Sequence, residues 1–469
     1  MSLTAEQSAK VESILSQMTL EEKIGQMNLE APSIVGGFDV SFEELIEMTA
    51  DGRISAGEFK RMMETASRDY HEDDIRAGRV GAMMVDDPRK NNELQKVAVE
   101  ESRLGIPLLI GFDVIHGLRS VYPIAIAEAG TFDEKLFEET ARVAARESRA
   151  YGINWNFAPM IDVARDARWG RVSEGPGEDP YLAACFARAK IRGLQNNTKG
   201  REYFVAACLK HYAAYGACES GRDYNTTSMS VSQLHNVYLP PFKAAVEEGA
   251  ATVMTAFNDL NGVPCTVNPY ILRHILKECY GLQGFVVSDA NGIRECVAHG
   301  IAENSMDAGE QAVNAGLDMD MGTHIYKDYL GQAVQTGKIS IEAVDEAVRR
   351  ILTVKVWLGL FENPFVPEES TAAFEDELPE KHVGKVLEAA EKSIVLLKNE
   401  NQILPLNRRQ KISLVGTLAE SAEEVCGAWA MSWKAQDCVS ILEGMKNAGA
   451  NVTYYPCGGP EGDINEEEI

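Results

Sequence analysis

The chain has 469 residues, 45% of them hydrophobic and 25% charged, which suits a large packed core and argues against bulk disorder. Its formal charge of −26 speaks against nucleic acid and anionic membrane surfaces as partners, because both demand basic patches. No apolar run approaches the roughly 20 residues of a membrane-spanning helix. The nine cysteines are scattered without a Cys-x-x-Cys pair, which fits mostly reduced thiols in a reducing compartment. The N-terminus shows no basic segment followed by an apolar stretch, so a cytoplasmic protein is expected, or a periplasmic or secreted one had a leader been removed.

Residues 6–27 read as an amphipathic helix, with Val11, Ile14, Leu15 and Met18 at helical spacing, and Thr19-Leu-Glu-Glu22 has the form of a capping box. Residues 36–73 are polar and irregular, as in a long insertion. An early strand is expected at 81–85, a long helix at 133–151 and another at 186–194. Residues 233–248 read as helical with a kink at Pro240-Pro241, and 307–315 and 341–358 as the last helices of this part.

Between these helices lie six short apolar runs, each stopping on a polar or ionisable residue. They are Pro107-Leu-Leu-Ile-Gly-Phe-Asp113, Asn154-Trp-Asn-Phe-Ala-Pro-Met-Ile-Asp162, Val205-Ala-Ala-Cys-Leu-Lys-His211, Thr252-Val-Met-Thr-Ala-Phe-Asn258, Gly284-Phe-Val-Val-Ser-Asp289 and Gly316-Leu-Asp-Met-Asp320. Such runs read as fully buried strands. Strand–helix alternation between about residues 80 and 325 fits βα units of a (β/α)8, TIM-like barrel, whose active site gathers at the C-terminal strand ends. Six polar endings in order therefore predict one polar mouth.

The pattern breaks near Gly359-Leu-Phe-Glu-Asn-Pro364. The expected division is a barrel over 1–363, an acidic, proline-containing linker over 364–380, and an incomplete second α/β sandwich domain over 381–469. The last part opens with a helix near 383–392 and apolar runs at 393–397 and 412–416, and is short for a complete doubly wound sheet.

Asp113, Arg171, Lys210, His211, Asn258 and Asp289 fall where the mouth would form. No His-Glu-x-x-His, tight Cys/His cluster or Gly-rich phosphate loop accompanies them, so no metal or cofactor is expected. Carboxylates that accept from hydroxyls, beside Lys and Arg that donate, suit a neutral polyhydroxylated ligand. On residues alone each keeps a structural alternative. Asp289 suits a helix cap, Asp113 a turn, and Arg171 a brace with Glu174 or Asp179. Adjacent Lys210 and His211 would face opposite sides of a strand. His116 reads as a packing residue, and Asp162, Asn258 and Asp320 as supports.

Taken together, Gly111-Phe-Asp-Val-Ile-His-Gly117, Asp166-Ala-Arg-Trp-Gly-Arg171, Glu174 through Gly177-Glu-Asp-Pro-Tyr-Leu182, Lys210-His-Tyr-Ala-Ala-Tyr-Gly216 and Ser288-Asp289 resemble glycoside hydrolase family 3, on the side of its bacterial β-glucosidases. The resemblance runs over about residues 15–455. It implies retaining hydrolysis of terminal, nonreducing β-D-glucosyl residues through a covalent glycosyl-enzyme on Asp289. It implies further that Asp113 accepts distal hydroxyls, that Arg171, Lys210 and His211 surround the sugar, and that Glu174 and Met254 belong to the same binding set. The implied partner is a small carbohydrate, a β-glucoside, with homo-oligomerisation left open.

Departures from the family pattern accompany the matches. Ala290 and Asn291 follow Asp289 where relatives often carry an aromatic, and Phe257 stands where tyrosine is common. The Lys210 motif lacks the Pro-Gly-His of the β-N-acetylhexosaminidases. The family's general acid lies well inside the second domain, and no residue here matches it. β-Xylosidase or arabinosidase activity, and a catalytically incomplete sugar-binding protein, stand as alternatives. Trp169 suits sugar stacking, Trp155 suits the core, and Trp429 or Trp433 would border the pocket.

Overall fold

The computed structural model describes residues 2–35, 53, 67–195, 204–367, 382–407, 409–422, 424–430, 432–434 and 437–456. Most of the expected insertion at 36–73 and of the linker at 364–380 lies outside these residues.

Two helices open the chain, α1 (Ala5–Gln17) and α2 (Leu20–Gln26). The expected single helix divides because Thr19 starts a new one. Its side chain accepts from the Glu22 amide while the Glu22 carboxylate accepts from the Thr19 amide, as a capping box requires. Thr4 caps α1 in the same way.

Eight strands form one parallel sheet: β1 (Asn28–Glu30), β2 (Ala82–Met84), β3 (Leu109–Phe112), β4 (Trp155–Asn156), β5 (Ala206–Tyr212), β6 (Thr252–Thr255), β7 (Phe285–Val287) and β8 (Asp320–Met321). Their order is sequential from β7 back to β1, with β8 beside β1. A parallel bridge from Val287 to Met319 closes the ring into a (β/α)8 barrel. The sequence reading missed β1, which starts one residue after the helix expected over 6–27.

Helices wrap the outside: α3 (Pro88–Lys96), α4 (Glu134–Ala150), α5 (Pro180–Gln195), α6 (Pro240–Glu247), α7 (Gly292–Ala298), α8 (Ser305–Ala315), α9 (Ile325–Gln335) and α10 (Ile341–Leu358). Asp133 caps α4 by accepting from the Lys135 and Leu136 amides. At Pro240 the helical path breaks as expected, with a wide turn over Leu234–Tyr238 ahead of α6.

The barrel interior is close-packed and aromatic: Trp155 meets Phe157 and Phe285 edge-on, with ring centroids 4.9 and 5.1 Å away. Gly284, just ahead of β7, has a specific reason to be glycine. A Cβ there would lie 1.7 Å from the Ala251 carbonyl oxygen, so only glycine lets β7 approach β6.

Beyond the barrel come α11 (Val383–Ser393), β9 (Lys411–Val415), α12 (Ile441–Asn447) and β10 (Asn451–Tyr455), with β9 and β10 pairing in parallel. The apolar run at 393–397 joins no ladder among the described residues, and Ile394 to Leu397 are solvent-exposed, Leu397 by 90%. No helix among the described residues is long and apolar enough to cross a membrane.

Candidate active site

The strand ends converge as expected. Asp113 follows β3, and its loop is held from two sides. Asn156 on β4 accepts from the Val114 amide at 3.0 Å and donates to the Val114 carbonyl at 2.9 Å. The buried carboxylate of Glu147 on α4 accepts from the backbone amides of Leu118, Arg119 and Ser120. Asp113 in turn accepts from Lys210 Nζ at 2.6 Å, and both side chains are buried.

Lys210 and His211 lie near the C-terminal end of β5. The peptide between them is cis, and both side chains reach the mouth. The alternation expected of a regular strand does not apply here. Arg171 donates to Glu174 through Nε at 2.7 Å and Nη2 at 2.9 Å, and Nη2 also meets His211 Nε2 at 2.9 Å. A guanidinium can only donate, so His211 Nε2 accepts and its proton sits on Nδ1. Nδ1 faces Asp162 Oδ2 at 2.8 Å, and the His211 amide donates to that same oxygen at 2.9 Å. Burial, then Arg171 and Lys210, holds the imidazole pKa well below its ordinary value, so the ring is neutral. Burial also pushes Asp162 up to about 8. Its Oδ2 accepts in either protonation state, so the ring orientation does not depend on it.

Asp289 follows β7 and Ser288. Its Oδ1 accepts from the Ala290 amide at 2.8 Å. Its Oδ2 is buried, has no hydrogen-bond partner, and lies 3.6 Å from His211 Nε2. Asp289 does not cap the following helix, because Asn291 occupies the N-cap of α7. Burial raises its carboxyl to about 6, against the opposing pull of Lys210 and Arg171. The result is a carboxylate at neutral pH with one lone-pair face free of partners.

Met254, near the end of β6, pairs in register with Val287 of β7 and is fully enclosed. Phe257 packs 4.7 Å from the Tyr224 ring and 5.9 Å from Tyr215. Trp155 and Trp169 are core residues, with indole N–H groups donating to Thr252 and Asp223, so Trp169 is not available for sugar stacking. His116 packs as expected between the Tyr122 and Ala428 carbonyls. Asn258 and Asp320 bond to neighbouring loop groups.

The sequence reading named the acidic strand ends and offered Trp429 or Trp433 for the rim, but passed over Glu295. Trp429, from the second unit, lies with its ring 5.1 Å from Lys210 Nζ and 6.0 Å from Arg171 Cζ. Glu295 on α7, half-buried, is pushed up to about 7 by burial and then by Asp289. Its place six residues beyond Asp289, on the helix that follows, was the one local signal available. The barrel reaches toward the second unit too: Arg119 donates to the Ser432 carbonyl and the Asp437 carboxylate, each at 2.9 Å. Among the described residues no group of three or more His, Cys, Asp or Glu is arranged to hold a metal ion.

Residues 19–354 match the glycosyl hydrolase family 3 N terminal domain, and residues 394–468 the family's C-terminal domain. The periplasmic β-glucosidase of Salmonella typhimurium is 38% identical over 452 residues, 95% of this chain and 55% of that protein. A β-xylosidase of Formosa agariphila is 35% identical over 412 residues, 82% of this chain and 56% of its own length. The β-glucosidase structure from Listeria innocua superposes with a TM-score of 0.85 at 33% identity, covering 99% of this chain and 62% of that one. The chain thus spans little more than half the length of these relatives. With both domain profiles matched in order over a closed parallel barrel, the chain belongs to glycosyl hydrolase family 3.

Proposed function

We propose that this chain hydrolyses terminal, nonreducing β-D-glucosyl residues with retention, and that Asp289 is the nucleophile. The observation that carries the reading is the buried Asp289 Oδ2, unpartnered at the mouth and flanked by Lys210 and Arg171. A carboxylate so placed would attack the anomeric carbon and form a glycosyl-enzyme that water then hydrolyses. Asp113, Arg171, Lys210, His211 and Glu174 would bind the sugar, with Met254 shaping its floor. A neutral His211, held by Asp162, would offer no competing charge to the developing oxocarbenium. The proposed division gives the sugar pocket to the barrel (1–363) and part of its rim to the second unit (381–469), joined by a linker over 364–380. No general acid is assigned among the described residues.

The test is intact mass after incubation with a 2-deoxy-2-fluoro-β-glucoside bearing a dinitrophenyl leaving group, which departs with little protonation. The expected result is one glycosyl adduct on the peptide holding Asp289, absent in Asp289→Asn. Because the ionised carboxylate attacks, the adduct rate should rise with pH through about 6 and level off above it. A folded protein that binds isofagomine, the ligand of a Listeria innocua relative's structure, yet forms no adduct would reduce the reading to sugar binding. The similarity to a β-xylosidase favours a second reading, and relative turnover of aryl glucoside and aryl xyloside separates the two. Asp113 should favour the sugar with the exocyclic hydroxymethyl group. The periplasmic relative likewise brings the periplasm beside the cytoplasm as a proposed compartment.

A further inference from the structure

Cys426 and Cys438 bring their sulfurs to 3.3 Å in the second unit. Cys426 is buried, while Cys438 is half-buried, its thiol 3.7 Å from the Lys434 carbonyl. The other described cysteines belong to the barrel, five of them buried and Cys279 exposed. What lies between the two sulfurs matters more than the sulfurs themselves. The intervening stretch carries Trp429, placed over Lys210 and Arg171, Ala428, whose carbonyl meets His116 at 2.7 Å, and the Ser432 and Asp437 groups that accept from Arg119. Every one of these contacts reaches the barrel from inside the would-be ring.

We propose that Cys426 and Cys438 are a thiol pair that oxidises to a disulfide, fixing the segment that delivers Trp429 to the mouth. The oxidant is a disulfide, from a small molecule or a thiol–disulfide exchange protein. The Cys438 thiolate, the more accessible, attacks one sulfur of the oxidant and expels a first thiol. Cys426 then attacks the Cys438 sulfur of the mixed disulfide and expels a second. Two protein thiols lose two protons and two electrons, and the oxidant is reduced to two thiols. The sulfurs need close only by about 1.3 Å to reach bonding distance.

The experiment treats the reduced full chain with oxidised glutathione and maps its cysteine peptides without reduction. Limited trypsin digestion follows, because exposed Lys434 lies inside the ring. The expected result is a Cys426–Cys438 cross-link and cleavage after Lys434 slowed by about tenfold, since cleavage follows the opened population of the segment. Cys438→Ser and Cys426→Ala, checked for folding by circular dichroism, should each abolish both effects. A stable glutathione adduct at Cys438 without ring closure, or a link from either residue to Cys457, would overturn the proposal. Neither readout involves turnover, so failure here leaves the glycosidase reading untouched.

Discussion

In the barrel, all seven residues of β5 are buried; in the second unit, the five residues of β9 and of β10 alternate between exposed and half-buried. Both regions use similar apolar runs. The difference is layering. A barrel strand has packed side chains inside and helices outside, so both its faces leave water. Among the described residues little packs against the apolar side chains of the second unit, so that Ile394, Leu397 and Val415 are exposed by 79%, 90% and 51%. Apolar character in a sequence is potential stabilisation, realised only where a neighbouring layer removes the side chain from water.

The comparison breaks most sharply under truncation of one residue from each region. Phe285 is fully buried on β7 against Trp155, and Phe285→Ala should cost about 3–5 kcal/mol through lost burial and the cavity left behind. Leu397→Ala should change stability by less than about 0.5 kcal/mol, because its side chain is already in water. Urea unfolding of the two variants checks this. A large cost at Leu397 would mean that the second unit buries this face in solution.

Charge sharpens the same contrast. Lys355 on α10 is fully buried, donating to Gln26 Oε1 at 2.6 Å and the Gly81 carbonyl at 2.8 Å, and burial pushes its amine down to about 7. In the unfolded chain a lysine keeps its proton up to about pH 10.4. Between those values the unfolded state binds more protons, so stability should rise with pH, by about 1.4 kcal/mol per unit from this group. Below pH 7 both states are protonated and its slope vanishes. Between pH 7.5 and 9.5 the wild type should therefore gain about 2–3 kcal/mol relative to Lys355→Met. In the second unit, Lys392 pairs with Asp133 at the surface, and Lys392→Met should leave that slope unchanged.

The barrel was legible because its strands end abruptly: Asp113, Lys210, His211 and Asp289 each close an apolar run, and the structure gathers them. β1 was not legible. Two of its three residues are polar, and their burial depends on tertiary partners: Asn28 donates to the Ile24 carbonyl at 2.7 Å, and Glu30 pairs with His324 at 2.7 Å. The run at 393–397 shows the opposite case, since it is as apolar as a buried strand yet no layer among the described residues covers it. Arg171 carried a correct structural alternative, the brace to Glu174, but that brace is part of the mouth rather than a rival to it. At the rim the sequence left a choice between Trp429 and Trp433, and the structure puts Trp429 near Lys210 and Arg171, a placement set by segments distant in the chain.

Trp429 is also where the two regions meet, and it supplies the mildest test. Its ring stands near two cations already engaged with carboxylates, Lys210 with Asp113 and Arg171 with Glu174. A half-buried cation–π contact contributes about 1 kcal/mol, so Trp429→Ala should weaken isofagomine binding by about tenfold or less. Trp429→Phe, which keeps a ring, should recover most of that loss. Urea unfolding of the barrel should not change, because the residue lies outside its core. Titration calorimetry on the three proteins distinguishes the outcomes. Unchanged affinity in Trp429→Ala would mean that the barrel alone forms the sugar pocket. A loss far beyond tenfold would mean that the rim orders Lys210 and Arg171 rather than merely covering them, which would make the sparsely packed second unit a determinant of the densely packed site.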